Sequence, residues 1–306
     1  MFIPFLIHYS FPALTAKSAE QFEWNCHVSF YYSQDVHYKG RSSVSYDRDG
    51  NIIRQYDKAN VVRDSESFVG ELGLSFNPLA KLQTGADIRL ISYYEGFLDS
   101  VIEQFHGFLR LPNAAREYYL QNQLYINIPN NNGIRLFLDK PAVAFGDIDL
   151  WGKWTFFENK KISLAGMGAV KIPAGRLETL SGSNYPDIGL EFLSDIRLLW
   201  RLTVYGQAGI VVPLNGRSYV MFNGLAGLEF SLSELLSFLV QMNIKTSPLS
   251  STLQRYSLPQ TNFLAGLKIK HKQYTWQFYI EENPFTLQGT DITANVMFAI
   301  GGRRPP

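Results

Sequence analysis

The histidines and serines of this sequence are the residue types that could support hydrolytic chemistry. A serine hydrolase needs a serine hydroxyl close to a histidine that a third polar group orients. The chain contains five histidines, but it lacks the G-x-S-x-G segment that presents a nucleophilic serine on a sharp turn. His106, which follows Glu103 by three residues, is the only histidine that we single out, and its simplest interpretation is a polar-face helix residue. A membrane-embedded hydrolase is therefore the weakest functional hypothesis.

Metal and cofactor sites leave no recognisable pattern in the sequence. The single cysteine, Cys26, excludes an intramolecular disulfide and the usual zinc spacings. The segment DRDGN at 47–51 begins like a calcium loop but lacks the remaining ligands, including the closing glutamate. Neither a phosphate-binding loop nor a dinucleotide fingerprint is present. We therefore predict no cofactor and no metal.

Charged residues recur at every second position within otherwise apolar stretches. Strand side chains alternate between two faces, so this spacing predicts strands with one charged and one apolar face. A basic residue that faces lipid at the membrane midplane costs about 2–4 kcal/mol, which favours charges on the inside of a barrel. Paired opposite charges would brace a closed lumen, whereas an unpaired set would line a pore. The predicted lumen-lining residues are Asp87, Arg89, Asp147, Asp149, Lys153, Lys171, Asp187, Glu191, Arg201, Glu229, Lys245 and Glu281.

The segment from Trp200 to Ser231 shows the underlying strand pattern most clearly. In WRLTVYGQAGIVVP and SYVMFNGLAGLEFS, apolar residues occupy the even-numbered positions. Strands of about 9–11 residues with this alternation, joined by turns, are typical of a transmembrane β-barrel. Comparable stretches predict an all-β fold, a single antiparallel transmembrane β-barrel over residues 1–306, with about fourteen strands. The count becomes twelve if the weak pair at 123–128 and 134–140 is only loop.

Composition agrees with a membrane barrel and argues against other classes. Lys and Arg total 28 against 27 for Asp and Glu, so no basic excess points to nucleic acid. The 17 tyrosines and 22 phenylalanines suit aromatic girdles at both membrane interfaces. No apolar run is long enough for a transmembrane helix, which leaves the bacterial outer membrane as the expected location. The expected partners are outer-membrane lipid and the barrel-insertion machinery, because the last strand ends in aromatic and apolar residues at 298–300.

The segment at 95–120 changes from strand to helix spacing. Apolar residues fall at positions i, i+3, i+4, i+7, i+10 and i+11, which predicts an amphipathic helix that Pro112 ends. We expect this helical insert in an outer loop, either packed over the barrel rim or folded into the lumen as a constriction. The residues of the candidate constriction are Phe97, Leu98, Ile102, Glu103, Phe105 and His106.

The first 21 residues resemble a signal peptide poorly. They lack a basic start, and Pro4, His8 and Pro12 interrupt the apolar run. We therefore expect the signal to lie upstream and residues 1–21 to form a periplasmic or lumenal segment of the mature protein.

Several segments together resemble an uncharacterised family of Gram-negative outer-membrane β-barrel proteins. The most specific match is the helical segment, and the QNQLYINI, GDIDLWGKW and PAGRLETLSGSNYPDIGLEF segments extend the resemblance over nearly the whole chain. The resemblance implies an outer-membrane barrel, and the family brings no established activity or catalytic residues. The matching residues of the helical segment are Gly96, Phe97, Leu98, Asp99, Ile102, Glu103, Phe105, His106, Leu111 and Pro112.

Two functional hypotheses from different classes follow from these predictions. The first is a narrow channel for small solutes of unknown identity, which we favour because a barrel of this strand number is wider than one that side chains alone fill. The second is a filled structural barrel that binds partners through its loops or its N-terminal segment.

Overall fold

The computed structural model describes residues 15–18, 21–39, 42–46, 52–56, 61–109, 122–131, 134–214, 220–246, 259–282 and 292–303. One helix, α1 (Asp99–Leu109), interrupts a chain of β-strands. The strands, numbered along the chain, are β1 (Glu23–Lys39), β2 (Ser42–Tyr46), β3 (Ile52–Tyr56), β4 (Val61–Leu79), β5 (Leu82–Tyr94), β6 (Tyr125–Asn131), β7 (Ile134–Leu138), β8 (Ala142–Phe145), β9 (Ile148–Glu158), β10 (Ile162–Ile172), β11 (Asp187–Leu199), β12 (Leu202–Pro213), β13 (Met221–Ser231), β14 (Leu236–Lys245), β15 (Gln260–His271), β16 (Tyr274–Glu282) and β17 (Ile292–Arg303).

Twelve of these strands close into an antiparallel barrel. β1 pairs with β4 on one side and with the last strand, β17, on the other, and the ring continues through β16 to β9 and returns through β5 to β4. The barrel therefore has the smaller of the two predicted strand numbers. The stretches at 123–128 and 134–140 lie in the β6–β7 hairpin, which joins the sheet only at the far end of β4 and is outside the closed ring.

The wall strands separate a buried inner face from an exposed apolar outer face. In β14 the odd-numbered residues from Ser237 to Asn243 are buried, while the even-numbered residues between them are apolar and exposed. The exposed fraction there runs from 39% at Val240 to 45% at Ile244. This dyad repeat places an apolar band around the outside of the barrel, where lipid lies in a transmembrane barrel.

Connections of two kinds mark the two ends of the barrel. Short turns follow β4, β9, β11, β13 and β15 at what we call the short-turn end. Longer connections lie at the opposite, long-loop end, where α1 and the β6–β7 hairpin belong to the connection between β5 and the wall strand β9. The segment at 34–64 is partly strand, because β1 and β4 continue into it and enclose the β2–β3 hairpin.

The chain from 142 to 158 forms two strands, β8 and β9, instead of one continuous wall strand. β8 and β9 both pair with β5, and the break between them falls at Gly146 and Asp147. The amide of Gly146 donates a hydrogen bond to the carbonyl of Arg89 at 2.8 Å, so the chain stays attached to the wall at the break. The break turns the Asp147 carboxylate toward the β10–β11 connection.

Candidate functional site

The lumen at the long-loop end is filled by apolar side chains, which we call the outer cluster. Its wall members are inward-facing residues of β1, β4 and β5, and the others come from the β6–β7 hairpin, the segment before it and the β10–β11 connection. Each member keeps at most 8% of its surface exposed. The outer cluster consists of Tyr31, Val69, Ile91, Tyr93, Leu124, Ile126, Ile128, Leu136, Leu138 and Leu180.

The β6–β7 hairpin covers the lumen with one apolar face. Ile126 and Ile128 are 1% and 0% exposed within the outer cluster. Phe137, on the other face of the hairpin, is 37% exposed and packs edge-on against Tyr125 at a centroid distance of 5.9 Å. The hairpin is therefore a two-sided cover over the barrel mouth, attached to the ring by the pairing of β6 with the far end of β4.

A buried ionic group holds the β10–β11 connection against the same mouth. The Asp147 carboxylate accepts the amides of Ala174 at 3.1 Å and Gly175 at 2.9 Å. Lys171 lies 3.2 Å from Asp147 and 2.6 Å from Asp187, and all three side chains are at most 1% exposed. These contacts fold the connection inward and bring Leu180 into the outer cluster.

A side chain at Gly182 should release this connection. A Cβ atom there would lie 2.4 Å from the carbonyl carbon of Gly175 and 2.6 Å from an Asp147 oxygen, so we expect Gly182→Val to displace the segment. Trypsin should then cut after the exposed Arg176 at least several-fold faster than in the native protein. Gly152→Val is the matched control, because a Cβ atom at Gly152 meets nothing within 4 Å. Equal cleavage rates in the two variants would contradict the inward-held connection.

Farther from the long-loop end, a buried ion triad joins three wall strands. The Arg89 guanidinium donates through Nε to Glu71 at 2.9 Å and through Nη2 to Asp149. The side chains of Arg89 and Glu71 are 1% exposed and that of Asp149 is 6% exposed. The triad ties β4, β5 and β9 together on the lumen side, and its guanidinium compensates the charge of two buried carboxylates.

Toward the short-turn end, charged side chains on the inner face are still partly exposed. His27 and Asp87 keep 22% and 18% of their side chains exposed, and Lys268 and Glu229 keep 24% and 21%. Lys268 forms an ion pair with Glu229 at 2.9 Å. These exposed fractions mean that solvent-accessible space lies inside this half of the barrel.

The described part of the N-terminal segment, Thr15 to Ser18, lies against inward-facing side chains. Asp195 accepts the Ala16 amide at 3.0 Å and the Thr15 hydroxyl. Lys153 donates to the carbonyl of Thr15 at 2.7 Å, and Ala16 packs fully buried against the wall. Asp195 is not among the predicted lumen-lining residues, although β11 continues past it to Leu199.

The structure distributes the predicted lumen-lining residues over three environments. Arg201 lies in the turn before β12, is exposed, and places its guanidinium carbon 3.9 Å from the Trp200 ring centroid, so it is not on the inner face. Half-buried residues are Asp87, Glu191, Glu229, Lys245 and Glu281. Buried residues are Arg89, Asp147, Asp149, Lys153, Lys171 and Asp187.

The candidate constriction helix begins on the outside of the barrel. Glu66 accepts the amides of Phe97 at 2.7 Å and Leu98 at 2.5 Å, and it also accepts the Tyr32 hydroxyl. Glu66 and Tyr32 are even-numbered residues on the outward face of β4 and β1, and Phe97 is 62% exposed.

This position corrects the predicted constriction for Phe97 and Leu98. The helical period identified an apolar stripe, but it could not tell which surface the stripe covers. Glu103 is half-buried, and the side chains of Ile102, Phe105 and His106 lie outside the described residues. None of the described helices is long and apolar enough to cross a membrane.

The described residues offer little to the hydrolase hypothesis. His27 makes its hydrogen bond with Glu71 at 3.4 Å, and no serine hydroxyl is among its hydrogen-bond partners in this part of the chain. Within the described ranges, His, Cys, Asp and Glu form no group of three that could hold a metal ion.

A closed ring of twelve antiparallel strands, with an apolar outer face and charged residues on its inner face, defines the fold of an outer-membrane β-barrel. The chain belongs to the family described as protein of unknown function (DUF3187), which matches residues 50–303. No curated protein matches the chain.

A solved structure with a similar fold is an outer membrane channel. The COG4313 outer membrane channel from Pseudomonas putida F1 is 12% identical with a TM-score of 0.59, and the match covers 93% of this chain and 97% of the channel. The KdgM porin is 6% identical with a TM-score of 0.48, covering 90% and 98% of the two chains. The Pseudomonas putida toluene transporter TodX is 10% identical with a TM-score of 0.40, covering 92% and 89%. The likeness to the COG4313 channel concerns the fold alone, and the other two structures, whose TM-scores are lower, support no conclusion about this protein.

Proposed function

We propose that this protein is a narrow channel for small solutes in the bacterial outer membrane and that the structure represents its closed form. The observation that carries the proposal is the solvent-accessible space inside the barrel, beside the charged residues His27, Asp87, Glu229 and Lys268. A purely structural barrel would be expected to lack partly hydrated charges in its interior, because keeping charge in a poorly hydrated interior is costly.

The construction of the closed end supports this proposal. The outer cluster seals the lumen with the β6–β7 hairpin and the β10–β11 connection, neither of which belongs to the closed ring. Both elements can move outward while all twelve wall strands stay paired. Eight-stranded barrels are filled by their own side chains, so a twelve-stranded ring without its cover has room for a pore. Displacement of the cover would therefore open the long-loop end without unpairing the ring.

Single-channel recording in planar bilayers tests the channel proposal. The refolded full chain should give small steps with brief openings, since the closed form is well packed. Heat-modifiable migration on gels shows independently that the barrel is folded, and boiled protein serves as the control. Folded protein that never conducts over a wide voltage range would contradict the proposal.

The filled structural barrel is the second candidate function, and one observation favours it. The Arg89 triad and the Lys171 group compensate their charges internally and are buried. Such compensation braces a lumen without any solute. Silent but folded protein in the bilayer experiment would favour this candidate.

The partners follow from the outer surface and the last strand. We propose that outer-membrane lipid contacts the exposed apolar band, which includes Trp276 and Phe278 at 43% and 42% exposure. The barrel-insertion machinery is the second proposed partner, because the closing strand β17 carries Phe298 near its end.

A further inference from the structure

We infer that the lumen favours small cations over anions and that Asp87 and Glu191 are the residues that determine this selectivity. The inference rests on the proposed channel function and specifies the class of solute that the pore passes. It is based on the charges of the described inner face, on the way in which the basic residues there are engaged, and on the surroundings of these two carboxylates.

The described inner face carries more acidic than basic residues. Nine carboxylates face five Lys or Arg side chains, an excess of four negative charges with His27 neutral. Across the whole chain the formal net charge is +1, so the excess is specific to the lumen. The carboxylates are Glu71, Asp87, Asp147, Asp149, Asp187, Glu191, Asp195, Glu229 and Glu281, and the basic residues are Arg89, Lys153, Lys171, Lys245 and Lys268.

The basic residues of the inner face are already engaged. Arg89 belongs to the buried triad, and Lys171 lies between Asp147 and Asp187. The other three are engaged as well: Lys268 forms an ion pair with Glu229, Lys153 donates to the carbonyls of Thr15 and Lys17, and Lys245 interacts electrostatically with Glu281. An anion that entered the lumen would therefore have to displace a counter-ion or the N-terminal segment.

Among the described residues, Asp87 contacts only groups that carry no permanent positive charge. Its Oδ2 atom accepts the Trp151 indole N–H at 2.8 Å, and its Oδ1 atom has no hydrogen-bond partner. His27 is 3.9 Å away, and within the described ranges no Lys or Arg lies within 4 Å. With 18% of its side chain exposed, Asp87 is available to a passing cation.

Glu191 is the second carboxylate whose charge is uncompensated. Its carboxylate accepts the Asn223 amide at 3.2 Å, a neutral partner. The side chain lies across Gly209 on the intervening strand, where a Cβ atom would approach the Glu191 Cγ atom to 2.6 Å. Within the part of the chain that the structure describes, Glu191 also has no Lys or Arg within 4 Å. Glycine at 209 therefore lets the carboxylate lie along the lumen wall.

Two carboxylates that lack a permanently charged partner should produce a measurable preference in a narrow lumen at an alkaline pH, where both are ionised. A low-dielectric wall focuses the field of a fixed charge along the pore, so the local concentration of counter-ions rises. A unit charge about 5 Å away, at an effective dielectric constant between those of protein and water, changes the relative permeability of cations and anions by about fivefold or more.

The reversal potential across a tenfold potassium chloride gradient tests the inference. We expect the reversal potential of the native protein to have the sign that preferential potassium permeation produces. The double variant Asp87→Asn/Glu191→Gln should give a reversal potential of smaller magnitude. Glu234→Gln is the control, since Glu234 is an exposed carboxylate in the β13–β14 turn, and it should leave the potential unchanged. The single variant Asp87→Glu, which keeps the charge, should retain the native potential.

The outcomes of this experiment distinguish the inferred cation preference from the proposed channel function. Conducting native protein with a chloride-directed or zero potential would overturn the inference and leave the channel proposal standing, whether or not the variants fold. An unchanged potential in the folded double variant would overturn the assignment to Asp87 and Glu191. Folded native protein that does not conduct at all would overturn the channel proposal, and this inference with it.

Discussion

Replacing Arg89 with methionine should lower the free energy of unfolding of the barrel by about 3–5 kcal/mol, which is the usual cost of breaking a buried ion pair by removing one partner. Methionine keeps much of the volume of the arginine stem but removes the donors that Glu71 and Asp149 use. Both carboxylates would remain buried on the inner face and would lose the guanidinium that neutralises them. Because the triad spans three wall strands, the loss should reduce the stability of the whole ring.

The measurement is urea unfolding followed by tryptophan fluorescence, with heat-modifiable gel migration as a second readout. Lys268→Met is the matched control, because it also removes a basic residue from an inner-face ion pair. That pair is about one quarter exposed on the lysine side, so its loss should cost at most about 1 kcal/mol. Equal unfolding midpoints for the two variants would show that the buried triad does not stabilise the barrel.

The strand pattern could be predicted from the sequence because lipid and lumen impose opposite demands on neighbouring residues. In β14 an apolar residue follows each inward polar or small residue, and this alternation is visible without any knowledge of the fold. The same rule placed Arg89 and Asp149 on one face. It could not pair them, because their contact depends on the register between β5 and β9, which are about 60 residues apart in the chain.

The number of strands in the ring was harder to predict for a related reason. Leu124, Ile126 and Ile128 alternate with polar residues, so they resemble a wall strand in the sequence. Their apolar side chains are buried in the outer cluster instead of facing lipid. Both environments favour the same residues, and only the pairing of β6 with the end of β4 distinguishes a cover from a wall.

The cover is also the element whose disruption should change conductance most. Ile128 is completely buried in the outer cluster, so Ile128→Asp places a carboxylate where no water reaches it. Burying an unpaired carboxylate is far costlier than the net interactions that a short hairpin contributes. We therefore expect the hairpin to leave the mouth. Since each 1.4 kcal/mol shifts a two-state equilibrium tenfold, the open probability in planar bilayers should rise by at least about tenfold.

Phe137→Asp provides the control for this prediction within the same hairpin. Phe137 lies on the opposite face and is already 37% exposed, so a carboxylate there stays solvated and should leave the hairpin in place. The two variants have the same added charge and similar positions along the chain. A general effect of charge near the pore mouth would therefore be the same in both and would cancel in the comparison. Equal open probabilities for Ile128→Asp and Phe137→Asp would contradict the role of the hairpin as the cover. A selective increase for Ile128→Asp would locate the closed gate in the outer cluster, at the end of the barrel opposite the partly exposed charges of the inner face.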